Sequence, residues 1–314
     1  MSEARSNWVL WLIPLVILAI AGISFVVFWL TTKSNLHILT TPAGVSVSVN
    51  GGIVGVTADS GLVLAVEPGA LELVLSRAGF EDAVSSHNVR RGELIQIEHL
   101  MKREGMVFVR GGRFRMGNNA GAYSEKPERD VTLDPYYIDT SEVTAKVYKE
   151  YDSSYRPAYT AAGLPATGIA WEEADAYCRS AGKRLPTEAE WERACAGPEA
   201  LPYAYGNAYD ATLGRTGSRV QDGPVPVGQY EAGNAGVVDM TGNVWEWCSD
   251  WHGRDTYRTS DTLNPAGPLR GDRHVIRGGA WYSNASFSRC THRPGNFRSQ
   301  RDPSFGFRCA RDLD

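Results

Sequence analysis

The segment 239–251, DMTGNVWEWCSDW, gathers residue types that can bind a metal ion or do acid–base chemistry. Asp239 and Glu246 are hard oxygen donors that lie seven residues apart, with a Gly242-Asn243 turn signal between them. Carboxylates and turn carbonyls are the ligands that calcium prefers, whereas zinc and iron favour nitrogen and sulfur. One interpretation is therefore a calcium site. The alternative is that both carboxylates pair with arginines or cap backbone N–H groups.

The tryptophans of the same segment favour a structural role. An indole buries a large apolar area and needs one partner for its N–H group. Trp245, Trp247 and Trp251 are therefore predicted to belong to the core rather than to a catalytic centre.

Composition restricts the class of protein. The chain has 314 residues, 43% of them hydrophobic, and this fits two folded domains better than one. The formal net charge is -4, and the 32 lysines and arginines are scattered along the sequence. No basic patch therefore indicates nucleic-acid binding, and we expect no nucleic-acid partner.

Residues 8–30 contain no charged residue. At ~1.5 Å per helical residue such a segment spans roughly 35 Å, enough to cross a bilayer. The segment is longer than the apolar core of a signal peptide, and tryptophans stand near both ends. The sequence predicts a transmembrane helix, with a cleaved signal peptide or a buried helix as alternatives. Positive charge favours the cytoplasmic side of a membrane span, and the N-terminal side has Arg5 and the amino terminus, whereas the other side has only Lys33. This weakly favours a short cytoplasmic tail at 1–7 and a periplasmic or extracellular remainder.

Residues 36–104 alternate between apolar and polar residues, as short strands do. Asn50-Gly51 has the residue types of a type I′ hairpin turn. We predict a small all-β domain of antiparallel strands without an acid–base cluster. The segments VEPGA (66–70) and AGF (78–80) resemble the PEGA domain. That resemblance implies an extracytoplasmic spacer or a peptide-binding module.

Residues 105–314 are rich in glycine and aromatic residues and predict few helices. Residues 171–181 have helical periodicity and end at Gly182, which is a helix-stop residue. Thr187 and Glu190 form a capping-box pattern that predicts a second helix, ending at Gly197. These signals predict a mixed α+β domain.

Six motifs occur in this last region in a fixed order: GGRFRMG (111–117), YYIDTSEVT (136–144), AGKRLPTEAEWERAC (181–195), DMTGNVWEW (239–247), RGGAW (277–281) and GFRCA (306–310). Together they resemble the formylglycine-generating enzyme, or sulfatase-modifying factor, family over nearly all of residues 105–314. The resemblance implies a C-type-lectin-like α+β fold that is stabilised by loops, disulfides and often calcium. It also implies a calcium site made of the side chains of Asp239 and Glu246 and the carbonyl groups of Gly242 and Val244.

All five cysteines lie in the last domain, and their odd number leaves the pairing undetermined by sequence alone. The family resemblance implies disulfides between Cys178 and Cys309 and between Cys195 and Cys290, leaving Cys248 unpaired. Closing loops of these lengths corresponds to roughly 4 to 5 kcal/mol each, although nested loops do not add. Such bonds require an oxidising compartment, consistent with a domain outside the cytoplasm.

The segment 280–289, AWYSNASFSR, contains no cysteine. Enzymes of the family bind copper through two cysteines in the corresponding segment, because thiolates are the soft ligands that Cu(I) requires. We therefore expect no copper and no oxidase site. The sequence also lacks HxxxH and HxE pairs, a GxSxG motif and a phosphate-binding P-loop.

These observations favour a membrane-anchored extracytoplasmic binding or scaffold protein with a protein or peptide partner in the cell envelope. In related lectin-like proteins the C-terminal segment forms the ligand-binding face, and here it is rich in aromatic and polar residues of the kind found in adaptable binding surfaces. The predicted ligand-binding residues are Trp281, Tyr282, Asn284, Phe287, His292, Asn296 and Phe297. The alternatives are an active enzyme of this family, acting on a sulfatase-type or another substrate, and a structural subunit of an envelope complex.

Overall fold

The computed structural model describes residues 21–24, 32–233 and 235–313. The chain divides into two compact units, one ending at Glu104 and the other beginning at Gly105. Of the predicted membrane span, only residues 21–24 are described, and they are helical; the rest lies outside the described residues. Within the described part of the chain, no helix has both the length and the apolar character needed to cross a bilayer.

The described part of the first unit contains seven strands: β1 (Ser34–Thr41), β2 (Ser46–Val49), β3 (Gly52–Val56), β4 (Leu62–Val66), β5 (Gly69–Ser76), β6 (Ala83–Val89) and β7 (Leu94–Leu100). They form a three-stranded sheet in the order β4-β1-β7 and a four-stranded sheet in the order β3-β2-β5-β6. Strands β1 and β7 run parallel, so the prediction of purely antiparallel strands is wrong for this pair. Alternating hydrophobicity reports which face of a strand is buried, but it does not report the direction of its neighbour.

The hairpin between β2 and β3 follows from local sequence. Asn50 and Gly51 have φ angles of 50° and 80°, the left-handed values that a type I′ turn requires at both central residues. The buried core of this unit comes from alternate positions of β1, β2 and β5, such as Leu36, Val47 and Leu73, none of which is exposed.

The described part of the second unit contains nine strands and four α-helices. The strands are β8 (Met106–Val109), β9 (Gly112–Met116), β10 (Arg129–Leu133), β11 (Tyr136–Asp139), β12 (Trp245–Trp251), β13 (Arg273–Arg277), β14 (Gly295–Phe297), β15 (Phe305–Gly306) and β16 (Ala310–Asp312). The helices are α1 (Ala145–Tyr151), α2 (Trp171–Ser180), α3 (Glu188–Ala196) and α4 (Thr256–Thr259). Short 3-10 turns occupy Tyr123–Glu125 and Val220–Asp222.

The strands of the second unit form three sheets, ordered β10-β9, β16-β11-β8 and β14-β13-β12-β15. The last sheet is central to the site because β12 carries the carboxylate-rich segment identified in the sequence. Strand β12 pairs with β13 antiparallel and with β15 parallel.

Both predicted helices form. In α3 the Thr187 hydroxyl accepts a hydrogen bond from the Glu190 N–H group, and the Glu190 carboxylate accepts from the Thr187 N–H group. This capping box satisfies two N–H groups that would otherwise lack partners at the helix start. Every residue of α3 is buried, so this short helix lies inside the domain and not on its surface.

Two of the three tryptophans predicted to be core residues are buried. Trp247 is fully buried, and its indole N–H donates to the Ile169 carbonyl, while Trp245 is 8% exposed. Trp251 is partly exposed and stacks on His274 at a centroid distance of 3.8 Å, with Trp171 on the other face of the same imidazole. The segment is therefore mainly structural, as the size of the indole side chains indicates.

Candidate functional site

Glu246 is a fully buried carboxylate on β12. Arg308 donates to both of its oxygens, over 2.6 and 2.7 Å, and the Trp191 indole N–H donates to Oε2 over 2.8 Å. This bidentate pair between Arg308 and Glu246 compensates the buried negative charge with two charge-assisted hydrogen bonds. Of the two alternatives left by the sequence, pairing with an arginine is what the structure has at Glu246.

Asp239 and Glu142 form a second buried acidic pair whose hydrogen bonding is incomplete. Asp239 Oδ2 accepts from the Gly228 N–H group over 2.6 Å, and Glu142 Oε1 accepts from Asn243 over 3.0 Å. The remaining oxygens, Asp239 Oδ1 and Glu142 Oε2, are buried without a hydrogen-bond partner within the described part of the chain. A buried polar atom without a partner is unusual, and it indicates a proton, water or ion that completes the site.

The charge balance of this pair differs from that of Glu246. Burial, followed by repulsion from Asp239, raises the pKa of Glu142 well above its usual value despite Arg308. Burial likewise raises the pKa of Asp239. Both shifts mean that the protein disfavours two negative charges here unless a proton or a cation is bound.

The turn between Asp239 and Glu246 requires glycine. Gly242 has a φ of 92°, and a Cβ atom there would lie 2.1 Å from the carbonyl oxygen of Arg215. Val244 is fully buried in the core beside the turn. Across the described residues, no cluster of three or more histidine, cysteine or acidic side chains is arranged to hold a metal ion. A calcium site here would therefore depend on carbonyl oxygens as well as on Asp239.

The residues predicted to bind a ligand divide by exposure. Tyr282, Phe287 and Phe297 are 36%, 47% and 50% exposed. Trp281 is only 1% exposed, and its indole N–H donates to the Val220 carbonyl. Its assignment to the binding face is corrected, because a side chain so deeply packed supports the surface from beneath and is not part of it.

One cluster of this surface lies around His292. Its imidazole contacts the ring of Phe287 at a centroid distance of 5.1 Å and the ring of Trp245 at 5.9 Å. The hydroxyl of Tyr282 is hydrogen-bonded to the Ser304 hydroxyl over 3.0 Å, and the Ser304 carbonyl oxygen accepts from the backbone N–H group of Trp245. The pattern places aromatic side chains of the 280–289 loop above the start of β12.

Glu125 anchors the base of this cluster. It is fully buried and accepts hydrogen bonds from Arg289 and Thr291, each over 2.8 Å. Although burial opposes ionisation, the contact of His292 at 3.6 Å and hydrogen bonds from the Ala122 N–H group, Thr291 and Arg289 lower the pKa of Glu125 to about 2. A carboxylate that is ionised at neutral pH thus holds the segment beneath the exposed rings.

The other predicted residues lie in different settings. Asn284 caps its own loop, since its Oδ1 accepts from the N–H and hydroxyl groups of Ser286. Asn296 and Phe297 are on β14, where they pair with β13, and the guanidinium of Arg273 lies 4.6 Å from the Phe297 ring centroid. The predicted set therefore combines a loop cluster and a strand edge.

The cysteines leave no pair of thiols. Disulfides join Cys178 to Cys309 and Cys195 to Cys290, the pairs that the family resemblance implies. Cys248 is free and buried. Burial raises the pKa of its thiol well above the usual value, so it is not a reactive thiolate at neutral pH. Two thiolates cannot meet at one metal ion in this arrangement, and the residues present do not fit a copper site.

Glu142, Arg308 and Glu125 are site residues that the sequence did not single out. Glu142 lies 97 positions before Asp239, and Arg308 lies 62 positions after Glu246, so no local pattern connects these partners. The only signal for Glu142 and Arg308 was their place in the motifs YYIDTSEVT and GFRCA, and Glu125 lies outside the six motifs.

The chain resembles known proteins over both units. Residues 93–313 match the family described as Sulfatase-modifying factor enzyme 1-like domain, and residues 33–104 match the PEGA domain. A protein of Chlamydia caviae named serine/threonine-protein kinase pkn1 is 35% identical over 239 residues, which is 66% of this chain and 38% of that protein. The chain thus spans well under half the length of this relative.

Two further relatives carry names with opposite meanings for activity. The formylglycine-generating enzyme of Streptomyces coelicolor is 38% identical over 48% of this chain and 53% of its own. The protein of Mus musculus named inactive C-alpha-formylglycine-generating enzyme 2 is 30% identical over 65% of this chain and 85% of its own.

Solved structures share the fold. Treponema denticola variable protein 1 superimposes with a TM-score of 0.60 at 23% identity, over 66% of this chain and 94% of that chain. PvdO from Pseudomonas aeruginosa superimposes with a TM-score of 0.57 at 27% identity over the same shares.

Proposed function

The chain belongs to the sulfatase-modifying factor family, and from that premise we propose that it is a membrane-anchored extracytoplasmic binding protein whose domain has lost the oxidase site. The family alone does not decide this, because its members carry the names of active enzymes, an inactive one and kinases. Function depends on the particular site and not on the fold that carries it.

The cysteine arrangement is the observation that carries the proposal. Four of the five cysteines are used in two disulfides, and the fifth is buried. The loop 280–289, where copper-binding cysteines would be expected, instead displays the exposed rings of Tyr282 and Phe287. A protein without a thiol pair lacks the two thiolates through which the enzymes of this family would bind Cu(I).

The location of the protein is part of the proposal. Two disulfides in one domain favour an oxidising compartment. The uncharged segment 8–30 would provide the anchor, with residues 1–7 in the cytoplasm. The PEGA domain would then separate the recognition domain from the membrane.

The surface around Tyr282, Phe287 and His292 is the proposed recognition site. Tyrosine and phenylalanine are enriched at the centre of protein interfaces, because they bury much area with little loss of side-chain entropy. The ionised Glu125 fixes the loop from below, so the rings are held in place before a partner binds. The expected partner is a protein or peptide of the cell envelope.

A structural calcium ion is proposed at the Glu142–Asp239 pair. Asp239 and Glu142 each have a free buried oxygen, whereas both oxygens of Glu246 are engaged by Arg308. The Asp239 side chain would bind calcium with the carbonyl groups of Gly242 and Val244, and Glu142 would supply the second carboxylate in place of Glu246. A calcium ion would supply the positive charge that this acidic pair lacks.

The binding function is tested with the full chain expressed in its own membrane. Neighbouring proteins are crosslinked in intact cells and identified by mass spectrometry, and the captured partner is then titrated against purified variants. We expect Tyr282→Ala combined with Phe287→Ala to weaken binding by about 2 kcal/mol or more, roughly 30-fold. Leu263→Ala, at an exposed apolar side chain outside this loop, is the control and should leave binding unchanged. Equal affinity of the double variant and the native chain would contradict the proposed surface.

The enzyme alternative has a direct test. The full chain, reduced and supplied with Cu(I) and oxygen, is incubated with a Cys-x-Pro-x-Arg peptide, and the product is examined by mass spectrometry. We expect no aldehyde. Aldehyde formation would overturn the loss of oxidase function while leaving the binding measurement interpretable.

A further inference from the structure

An open cavity of about 530 Å³ lies where α1 ends and α2 begins. We call it the tyrosine groove and define it by Tyr148, Tyr151, Asp152, Glu172 and Glu173, all of which line it. None of these residues belongs to the recognition surface described above. The volume falls within the range of small-ligand sites, roughly 300 to 1,000 Å³.

Aromatic rings form one wall of the groove. The rings of Tyr148 and Tyr151 meet edge to face at 5.8 Å, and Tyr151 meets Tyr177 edge to face at 5.3 Å. Tyr151 is 46% exposed, so one side of its ring is open to solvent. The face of an aromatic ring carries negative potential and attracts cations.

Tyr148 forms the buried side of the groove. Only 2% of its surface is exposed, and this residue lines the groove. Burial, followed by the charges of Glu173 and Asp152, raises the pKa of Tyr148, so the hydroxyl stays protonated and its oxygen can accept a hydrogen bond.

The charged side chains that line the groove are all carboxylates: Asp152, Glu172 and Glu173. Two of them already pair with guanidinium groups from outside, since Arg298 bonds Glu172 over 2.7 Å and Arg301 bonds both oxygens of Glu173. Asp152 bonds through Oδ1 to the N–H and hydroxyl groups of Ser154 in its own turn. Arginines of the chain itself thus already neutralise Glu172 and Glu173, and Asp152, which uses only Oδ1 in its own turn, is the carboxylate left for a cationic ligand.

From this combination we propose that the tyrosine groove binds the cationic side chain of a lysine or arginine in a protein ligand. The aliphatic stem would lie against the ring of Tyr151, and the charged head would donate to Asp152 and to the hydroxyl oxygen of Tyr148. The carbonyl end of α1 faces the same place, and the partial negative charge of a helix C-terminus also favours a cation.

To test this proposal, the full chain is titrated with blocked amino acids, and binding is monitored through the NMR signals of the ligand. N-acetyl-arginine amide and N-acetyl-lysine amide provide the two cationic heads, and N-acetyl-citrulline amide has the shape of the arginine compound without its charge. Choline represents a small quaternary amine. We expect the arginine or lysine compound to bind at least tenfold more tightly than the citrulline compound.

Three variants locate the binding. Tyr151→Ala should weaken binding of the cationic compounds tenfold or more. Asp152→Asn should do the same, because asparagine keeps the oxygen that accepts from Ser154 but loses the charge. Tyr123→Ala is the matched control, since Tyr123 is also 46% exposed but already lies between Arg254 and Arg258, at 4.2 and 4.4 Å. It should leave binding unchanged.

Several results would overturn the proposal: equal binding of the citrulline and arginine compounds, binding of choline alone, no binding of either cationic compound, or equal loss in the Tyr123 and Tyr151 variants. Melting temperatures of all variants show that each is folded. The measurement uses neither the envelope partner nor the 280–289 loop, so its outcome is separate from that of the proposed recognition function.

Discussion

Two groups of buried acids in the second unit differ in how completely they are paired. Around α3, Glu188 and Glu192 meet Arg277 and Arg293, with Arg293 bonding both oxygens of Glu188 over 2.7 Å. Glu142 and Asp239, by contrast, each keep one oxygen without a partner in the described residues. Equal burial therefore accompanies two different electrostatic situations.

The pKa shifts follow this difference for Glu188 and Glu142 but not for Glu192, whose pKa is raised by burial although Arg277 opposes the shift. Burial opposes the ionisation of Glu188, but Arg293 and Arg277 outweigh it and lower the pKa. At Glu142, burial and Asp239 raise the pKa together, and Arg308 does not offset them. Burial alone therefore does not mark a functional carboxylate, and the proposed ion rests on the oxygens of Glu142 and Asp239 that lack a partner.

The largest expected effect comes from breaking the paired group. Arg277→Met removes the cation that Glu192 and Glu188 share; Glu188 keeps Arg293, whereas the buried Glu192 loses its arginine partner. We expect a loss of about 3 to 5 kcal/mol in the free energy of unfolding, measured by chemical denaturation. A loss below about 1 kcal/mol would show that this group is not a stabilising ion-pair network.

Asp239→Asn tests the unpaired group, with a calcium-dependent readout. In the native chain, calcium at 100 times its dissociation constant should stabilise the fold by about 2.7 kcal/mol and raise the melting temperature relative to EDTA. The variant should lose this calcium response and be no less stable than the native chain in EDTA, because one of two repelling acids is neutral. Unfolding temperatures of the native chain that do not change with calcium would refute the proposed ion.

Asp250, a buried acid beside Glu188, allows a pH-dependent test of how incomplete pairing affects stability. It is fully buried, and burial followed by repulsion from Glu188 raises its pKa to about 8. The folded state therefore holds a proton that the unfolded state releases near pH 4, so this residue makes stability fall as pH rises from about 4 to 8. Asp250→Asn should remove that fall, because the amide oxygen still accepts from the Glu188 N–H group. Parallel stability curves for variant and native chain between pH 4 and 8 would contradict the shift.

The smallest effect is expected at an exposed ion pair. Arg179 bonds Asp175 over 3.0 Å on the surface of α2, where the arginine side chain is 73% exposed. Arg179→Met should lower stability by only about 0.3 to 0.5 kcal/mol, since solvent screens such pairs. Denaturation curves that separate by more than 1 kcal/mol would mean that exposure is a poor guide to the strength of ion pairs in this protein.

The recognition surface could be predicted only in part. The aromatic richness of the 280–289 loop is visible in the sequence, and Tyr282 and Phe287 are indeed exposed. The same composition suggested Trp281, which is buried, because residue type does not report which way a loop turns its side chains. Tyr148 and Glu173 belong to different helices, and no sequence pattern joins them into a groove.

What the sequence by itself determined was local or shared with a family. Thr187 and Glu190 specify a helix start, and Asn50-Gly51 specifies a turn, because each depends on hydrogen bonds or φ angles within a few residues. The order of the motifs indicated the family, and the absence of cysteine from 280–289 is a property of the sequence alone.

Only the tertiary structure decided how the acids are used. Glu246 pairs with Arg308, which is 62 positions away in sequence, and Glu142 is bonded by Asn243, which is 101 positions away. Neither partner can therefore be identified from neighbouring residues. Whether a carboxylate is paired or keeps an unpaired oxygen depends on which side chains the fold packs around it. That choice reflects the cost of burying a charge, which arises only once water has been excluded.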